Sequence, residues 1–286
     1  MKMKLICLLL AFFRQLAVAQ EDKENIVKEF TFPNPSNSNV LYIENINGSI
    51  AVEGYNGNKI LVEIEKTLKA NTQEDLEKAR KEVKLGIQQS GDSITLYIDN
   101  PYVYRRRDGR IRYDFNNDWN QDYNYVFNYK VKVPQQTTLA VFTVNKGNIT
   151  VANTKGRIQA SNINGSITLQ QITGETKAHT INGDIKATYV TTPPKSSNYK
   201  TLNGDIEVSY PESLSADLKF KTTNGEAYTD FAIAENLPVK VEKTSDGKAR
   251  GTTYKLEGNS GVRIGKGGPE HNFEVFNGDI TVKKAK

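Results

Sequence analysis

The sequence predicts an all-β chain built as a parallel β-solenoid with Asn-Gly corners, one short helix and a β-hairpin insertion near the N-terminal part. Three observations carry that expectation. Gly147, Gly156, Gly165, Gly174 and Gly183 stand nine residues apart. Around alternate members the text repeats an apolar residue, Asn-Gly, a small or acidic residue, and a second apolar residue. After each corner the apolar residues alternate, as in Ile167/Leu169, Ile185/Ala187 and Ile206/Val208. Such alternation is the period of a strand with one buried face.

The corner units are Asn164-Gly165, Asn182-Gly183, Asn203-Gly204, Asn224-Gly225 and Asn277-Gly278, with an early copy at Asn47-Gly48. Asn-Gly accepts positive φ and makes a tight corner at low steric cost. Between these corners lie others of a different kind, Lys155-Gly156 and Thr173-Gly174, so equivalent corners recur every 18 to 21 residues. That spacing favours coils of two short strands, each stacked on its equivalent about 4.8 Å away. A ladder of antiparallel hairpins, with a tight turn at every connection, is the competing organisation.

In chain order, residues 1–19 read as a secretory signal peptide. Lys2 and Lys4 are positive, Leu5 to Phe13 is apolar, and Ala17-Val18-Ala19 is a small-residue cleavage site. Arg14 is atypical there, and a buried N-terminal strand or helix is the alternative. Cys7 is the sole cysteine and lies inside the apolar core, where a lipid-anchored cysteine would follow it. Cleavage after Ala19 would leave no thiol for disulfides, catalysis or metal binding. It would also remove Lys2, Lys4 and Arg14, leaving 35 basic against 33 acidic residues, a charge of +2. The basic pI then says little about an anionic partner. No apolar run is long enough to span a membrane as a helix.

Residues 20–286 read as a single β-solenoid domain with no internal linker. A helix and hairpin insertion is expected at 67–89, with Thr72 capping a helix that runs to about Lys81. An aromatic and arginine-rich insertion is expected at 100–126, with Asp108-Gly109 as a hairpin turn. Tyr123, Tyr125, Phe127, Tyr129, Val131 and Val133 occupy successive odd positions of a strand that ends at Pro134. Regular coils are expected over 140–286, with a polar protrusion at 235–258 and a turn at Gly265-Lys266-Gly267-Gly268.

Several motifs resemble a bacterial family named provisionally for adhesins and largely described as a domain of unknown function. They are Tyr129-Lys130-Val131-Lys132-Val133-Pro134 leading into the Asn-Gly coils, Ala216-Asp217-Leu218 before Thr223-Asn224-Gly225, and the closing Gly265-Lys266-Gly267-Gly268 with Asn277-Gly278-Asp279-Ile280. The resemblance spans roughly residues 40–286. It implies a β-solenoid exported to the cell envelope and brings no catalytic residues with it.

Candidate chemistry is sparse. His179 sits at an alternating strand position and His271 in a polar stretch read as a turn, without the spacing of a zinc site. Asp184, Asp205 and Asp279 follow corner glycines, and hydrogen bonding to their own turns is expected over a calcium ladder. The best ligand segment holds Tyr102, Tyr104, Arg105, Arg106, Arg107 and Trp119. Rings stack on sugars, and guanidinium groups pair with anions. The expected function is therefore a non-enzymatic, adhesin-like protein that is periplasmic, cell-surface or secreted. Its partner would be a glycan or an envelope or surface protein, with no nucleic acid, metal or cofactor. A carbohydrate-active enzyme on a parallel β-helix and a purely structural envelope protein are the alternatives.

Overall fold

The computed structural model describes residues 20–34, 36, 38–101, 103–105, 111–113, 122–238, 241–244, 253–256 and 260–285. The signal-peptide expectation for 1–19 lies outside them. The described chain is all-β with one helix, and its strands form two large mixed sheets of ten and eleven strands.

The chain enters through β1 (Gln20–Thr31), β2 (Val40–Glu44), β3 (Ile50–Tyr55) and β4 (Lys59–Ala70). Helix α1 (Gln73–Glu82) follows. The Thr72 hydroxyl accepts the Asp75 amide at 3.1 Å, a cap worth about 1 kcal/mol. Leu76 and Ala79 are the buried residues of α1. Then come β5 (Lys84–Ser90) and β6 (Ser93–Asp99), the short β7 (Val103–Arg105) and β8 (Ile111–Tyr113), and the long β9 (Tyr123–Pro134). All six odd positions of β9 named above are buried, as their alternation requires.

From β10 onward each coil gives one strand to each sheet. The pairs are β10 (Thr138–Thr143) with β11 (Ile149–Ala152), β12 (Ile158–Asn162) with β13 (Ile167–Ile172), and β14 (Thr176–Asn182) with β15 (Ile185–Tyr189). Next are β16 (Ser197–Asn203) with β17 (Ile206–Tyr210), and β18 (Ala216–Asn224) with β19 (Ala227–Thr229). The chain then makes β20 (Ile233–Leu237), β21 (Val241–Thr244), β22 (Thr253–Leu256) and β23 (Ser260–Ile264), and ends in β24 (Glu270–Asn277) and β25 (Ile280–Lys284). Of the expected 235–258 protrusion, β20 pairs with β23, β21 pairs with β22, and residues 239–240, 245–252 and 257–258 lie outside the described set.

Central pairings are parallel and in register. Ile149, Ile167, Ile185, Ile206 and Ile280 stack as one inward column, with Val151, Leu169, Ala187, Val208 and Val282 beside it. Every member is essentially buried. Each large aliphatic side chain placed there contributes roughly 1.5–3 kcal/mol of transfer free energy.

Two features differ from a wholly parallel stack of coils in sequence order. The margins are antiparallel: β1 on β4 and β4 on β9, β5 on β6, and β20 and β18 on β23. Of these pairs only β5 and β6 are joined by a short hairpin, and the others bring together strands that are separated in sequence. The coil order is also permuted. The strands of β6 and β9 lie outside β2 and β3, and β24 and β25 lie between β16–β17 and β18–β19. Equivalent corners make this possible, because each coil offers the same edge to any neighbour of the same register.

Candidate interaction surface

Along one edge the corner asparagines form a continuous ladder. The Asn164 side-chain amide donates to Asn145 Oδ1 at 2.7 Å, Asn182 to Asn164 at 2.8 Å, and Asn203 to Asn182 at 2.8 Å. Asn277 then donates to Asn203 at 2.7 Å, and Asn224 to Asn277 at 2.8 Å. Amide side chains suit this role because each carries both donor and acceptor and can repeat indefinitely. Inside the ladder, Thr180 and Thr201 hydroxyls donate to the carbonyls of Gly165 and Gly183 at 2.8 and 2.9 Å. Gly204 has φ +139°, and a Cβ there would lie 2.3 Å from the Gly183 carbonyl oxygen. The close approach of successive corners therefore requires glycine, independently of the turn conformation.

The acids after the glycines behave differently from expectation. Asp184 Oδ1 accepts the Asp205 amide at 3.0 Å, Asp205 accepts the Asp279 amide at 2.9 Å, and Asp279 accepts the Glu226 amide at 2.9 Å. Each carboxylate thus binds the next coil instead of its own turn. The corner approach leaves that neighbouring N–H unsatisfied by backbone, so a side chain takes it. Among the described residues, no group of three or more His, Cys, Asp or Glu converges as a metal site.

The histidines also part company. His179 is exposed on β14. His271, expected in a polar turn, is fully buried in β24. Its Nδ1 accepts the Ser197 amide at 3.2 Å, so Nε2 carries the proton. Its ring stacks on Tyr210 at 5.3 Å, and Tyr210 stacks on Tyr189 at 4.9 Å. Burial lowers the His271 pKa to about 4. The Tyr189 and Tyr199 hydroxyls lie 2.6 Å apart, and burial pushes both phenols up. The cluster is a polar patch in the core, and no sequence motif announces it. Gly265-Lys266-Gly267-Gly268 is a turn, with Gly265 at φ +59° and Gly267 at φ +74°.

Of the ligand candidates, Tyr102, Arg106, Arg107 and Trp119 lie outside the described residues. Tyr104 and Arg105 fall in β7, whose backbone pairs antiparallel with β8 through Tyr104↔Arg112 and Arg105↔Ile111. The position of this segment in the fold is informative. It joins β6 to β9, the connection that every other coil makes with its corner at the asparagine edge. Its root is fixed by the Asn100 amide donating to the Tyr125 hydroxyl at 3.2 Å, and by the Tyr123 hydroxyl donating to Glu82 Oε2 at 2.5 Å. On the outer face of the ten-stranded sheet runs a groove of about 510 Å³. Ala51, Leu61 and Ala152 line it together with Glu53, Glu63, Lys130 and Lys132. The small outward residues on β3 and β11 leave the space. Among the described residues, no helix is long and apolar enough to cross a membrane.

Solved structures that align with this chain at low identity include one from Clostridium sporogenes ATCC 15579, provisionally named a cell adhesion protein. It shows 12% identity and a TM-score of 0.41, covering 92% of this chain and 100% of that one. Another, from Bacteroides fragilis NCTC 9343 and provisionally named an adhesin, shows 10% identity and a TM-score of 0.40 over 92% and 97%. A third, from Parabacteroides distasonis ATCC 8503 and provisionally named a lipid binding protein, shows 8% identity and a TM-score of 0.21 over 92% and 97%. No curated protein matches the sequence significantly. The family model of Toastrack DUF4097 matches residues 135–264, the stretch that carries Asn145, Asn164, Asn182, Asn203 and Asn224 of the asparagine ladder.

Proposed function

We propose that the chain is an exported, non-enzymatic interaction protein of the cell envelope or surface, adhesin-like in its mode of action. Residues 1–19 act as the signal peptide, and 20–286 fold as one parallel β-solenoid with Asn-Gly corners. The solenoid is a rigid support, and the 100–126 segment is its contact element. The observation that carries this reading is the substitution of a tight corner by residues 100–122 in one coil only. A glycan or an envelope or surface protein meets Tyr102, Tyr104 and Trp119 through their rings, and Arg105, Arg106 and Arg107 through charge. The rigid edge supports this reading, because a loop held at both ends loses less entropy on binding. The test is retention of the chain on a panel of glycans and envelope polymers, with product release followed in the same samples. Retention without products is expected. Products from any polymer would overturn the non-enzymatic reading and favour a carbohydrate-active enzyme.

A further inference from the structure

Strands β24 and β25 are the first to look at for exchange between molecules, because each is inserted between two strands of an earlier part of the chain. β24 lies between β16 and β18, and β25 lies between β17 and β19. Phe273 is held between the rings of Tyr199 and Phe220, at 5.2 and 5.4 Å. A chain lacking this arch would expose two facing strand edges and both rings. The slot is thus specific for one shape, a two-strand arch with Asn-Gly at its corner.

Residues 265–269 connect the arch to β23. Its tether is short. β23 is anchored to β18 by antiparallel pairing and by Arg263, which donates to both Asp217 carboxylate oxygens at 2.8 and 3.0 Å. The chain then crosses the start of β18 through 265–269, where the Ser215 hydroxyl donates to the Gly267 carbonyl at 2.7 Å. Gly267 at φ +74° is the point where the crossing bends back.

We propose that the β24–β25 arch is exchangeable, so that a second copy of this chain can fill the slot and give a reciprocal dimer. Every contact inside the slot is the same whichever copy supplies the arch, and only the 265–269 hinge changes, which is why exchange is cheap. Intramolecular closure competes at an effective concentration on the order of 1 mM, so the monomer dominates in dilute solution. Strain in the hinge shifts that balance toward exchange.

The test uses the full chain carrying Cys7→Ser. Lys200 and Glu274 are register partners on the outer face, joined by an ion pair at 3.1 Å. One chain carries Lys200→Cys and another, with a size tag, carries Glu274→Cys. They are unfolded, mixed, refolded near the effective concentration and oxidised. The double variant in one chain controls for geometry and must close its own disulfide. The expected result is a cross-copy disulfide at about twice the chain mass, rising with concentration and rising further when Gly267→Ala strains the hinge. If the control closes and the mixture yields no cross-copy bond at any concentration, the proposal is overturned. A dimer in which these two cysteines stay reduced overturns it equally.

Discussion

The Asn277 amide donates to Asn203 Oδ1 at 2.7 Å, which makes adjacent rungs of two residues 74 positions apart in sequence. The same Asn277 accepts from Asn224, so one side chain fastens the terminal coil to both neighbours.

Asn277→Ala should therefore cost more than a typical exposed substitution. It removes two side-chain hydrogen bonds at an exposed edge, about 1 kcal/mol together. Chemical denaturation should show a lower midpoint with an unchanged slope.

Gly204→Val should be worse, because the added carbon atoms meet the Gly183 carbonyl at a position with φ +139°. A loss of about 3 kcal/mol is expected. Thermal melting followed by circular dichroism checks it, and a loss no larger than that of Asn277→Ala would show that the corner can open.

His271 gives a pH dependence with a definite sign. Its pKa is lowered to about 4 in the folded chain by burial. The unfolded chain has the ordinary value near 6.5 and so binds more protons between the two. The stabilisation is complete above about pH 6.5 and is lost as pH falls toward 4, by roughly 3 kcal/mol in total. His271→Phe keeps the ring beside Tyr210 and should flatten the stability curve in that window. A variant curve parallel to the parent would place the titration elsewhere.

Arg263 holds the antiparallel margin through Asp217 and Glu235, with the Glu235 contact at 2.7 Å. It keeps the Asp217 carboxyl below its usual range. The site is open to solvent, so Arg263→Ala should lower stability only slightly, and less in high salt. Hydrogen exchange should rise first in β20 and β23.

The repeat was legible because periodicity survives without contacts. Ile167, Ile185 and Ile206 announce their strands, and the Asn-Gly pairs announce their corners. The order of the coils was not legible. Asn224 and Asn277 offer the same atoms to Asn203, and only the path of residues 230–269 decides which of them comes first. His271 was misread for a related reason, since its burial comes from Tyr210 and Ser197, which its own neighbours in sequence do not reveal. The acids at 184, 205 and 279 show the same limit, because their partners are on the next coil. For the ligand segment, composition marked 100–126, while its place at the corner edge required the pairing of β6 with β2 and β9 with β3.

The most direct test of the interaction role compares the parent with Tyr102→Ala, Tyr104→Ala and Trp119→Ala combined, on whichever polymer retains the parent. Retention should be lost while the melting transition and circular dichroism stay unchanged. Undiminished retention by the folded triple variant would contradict the role given to this segment.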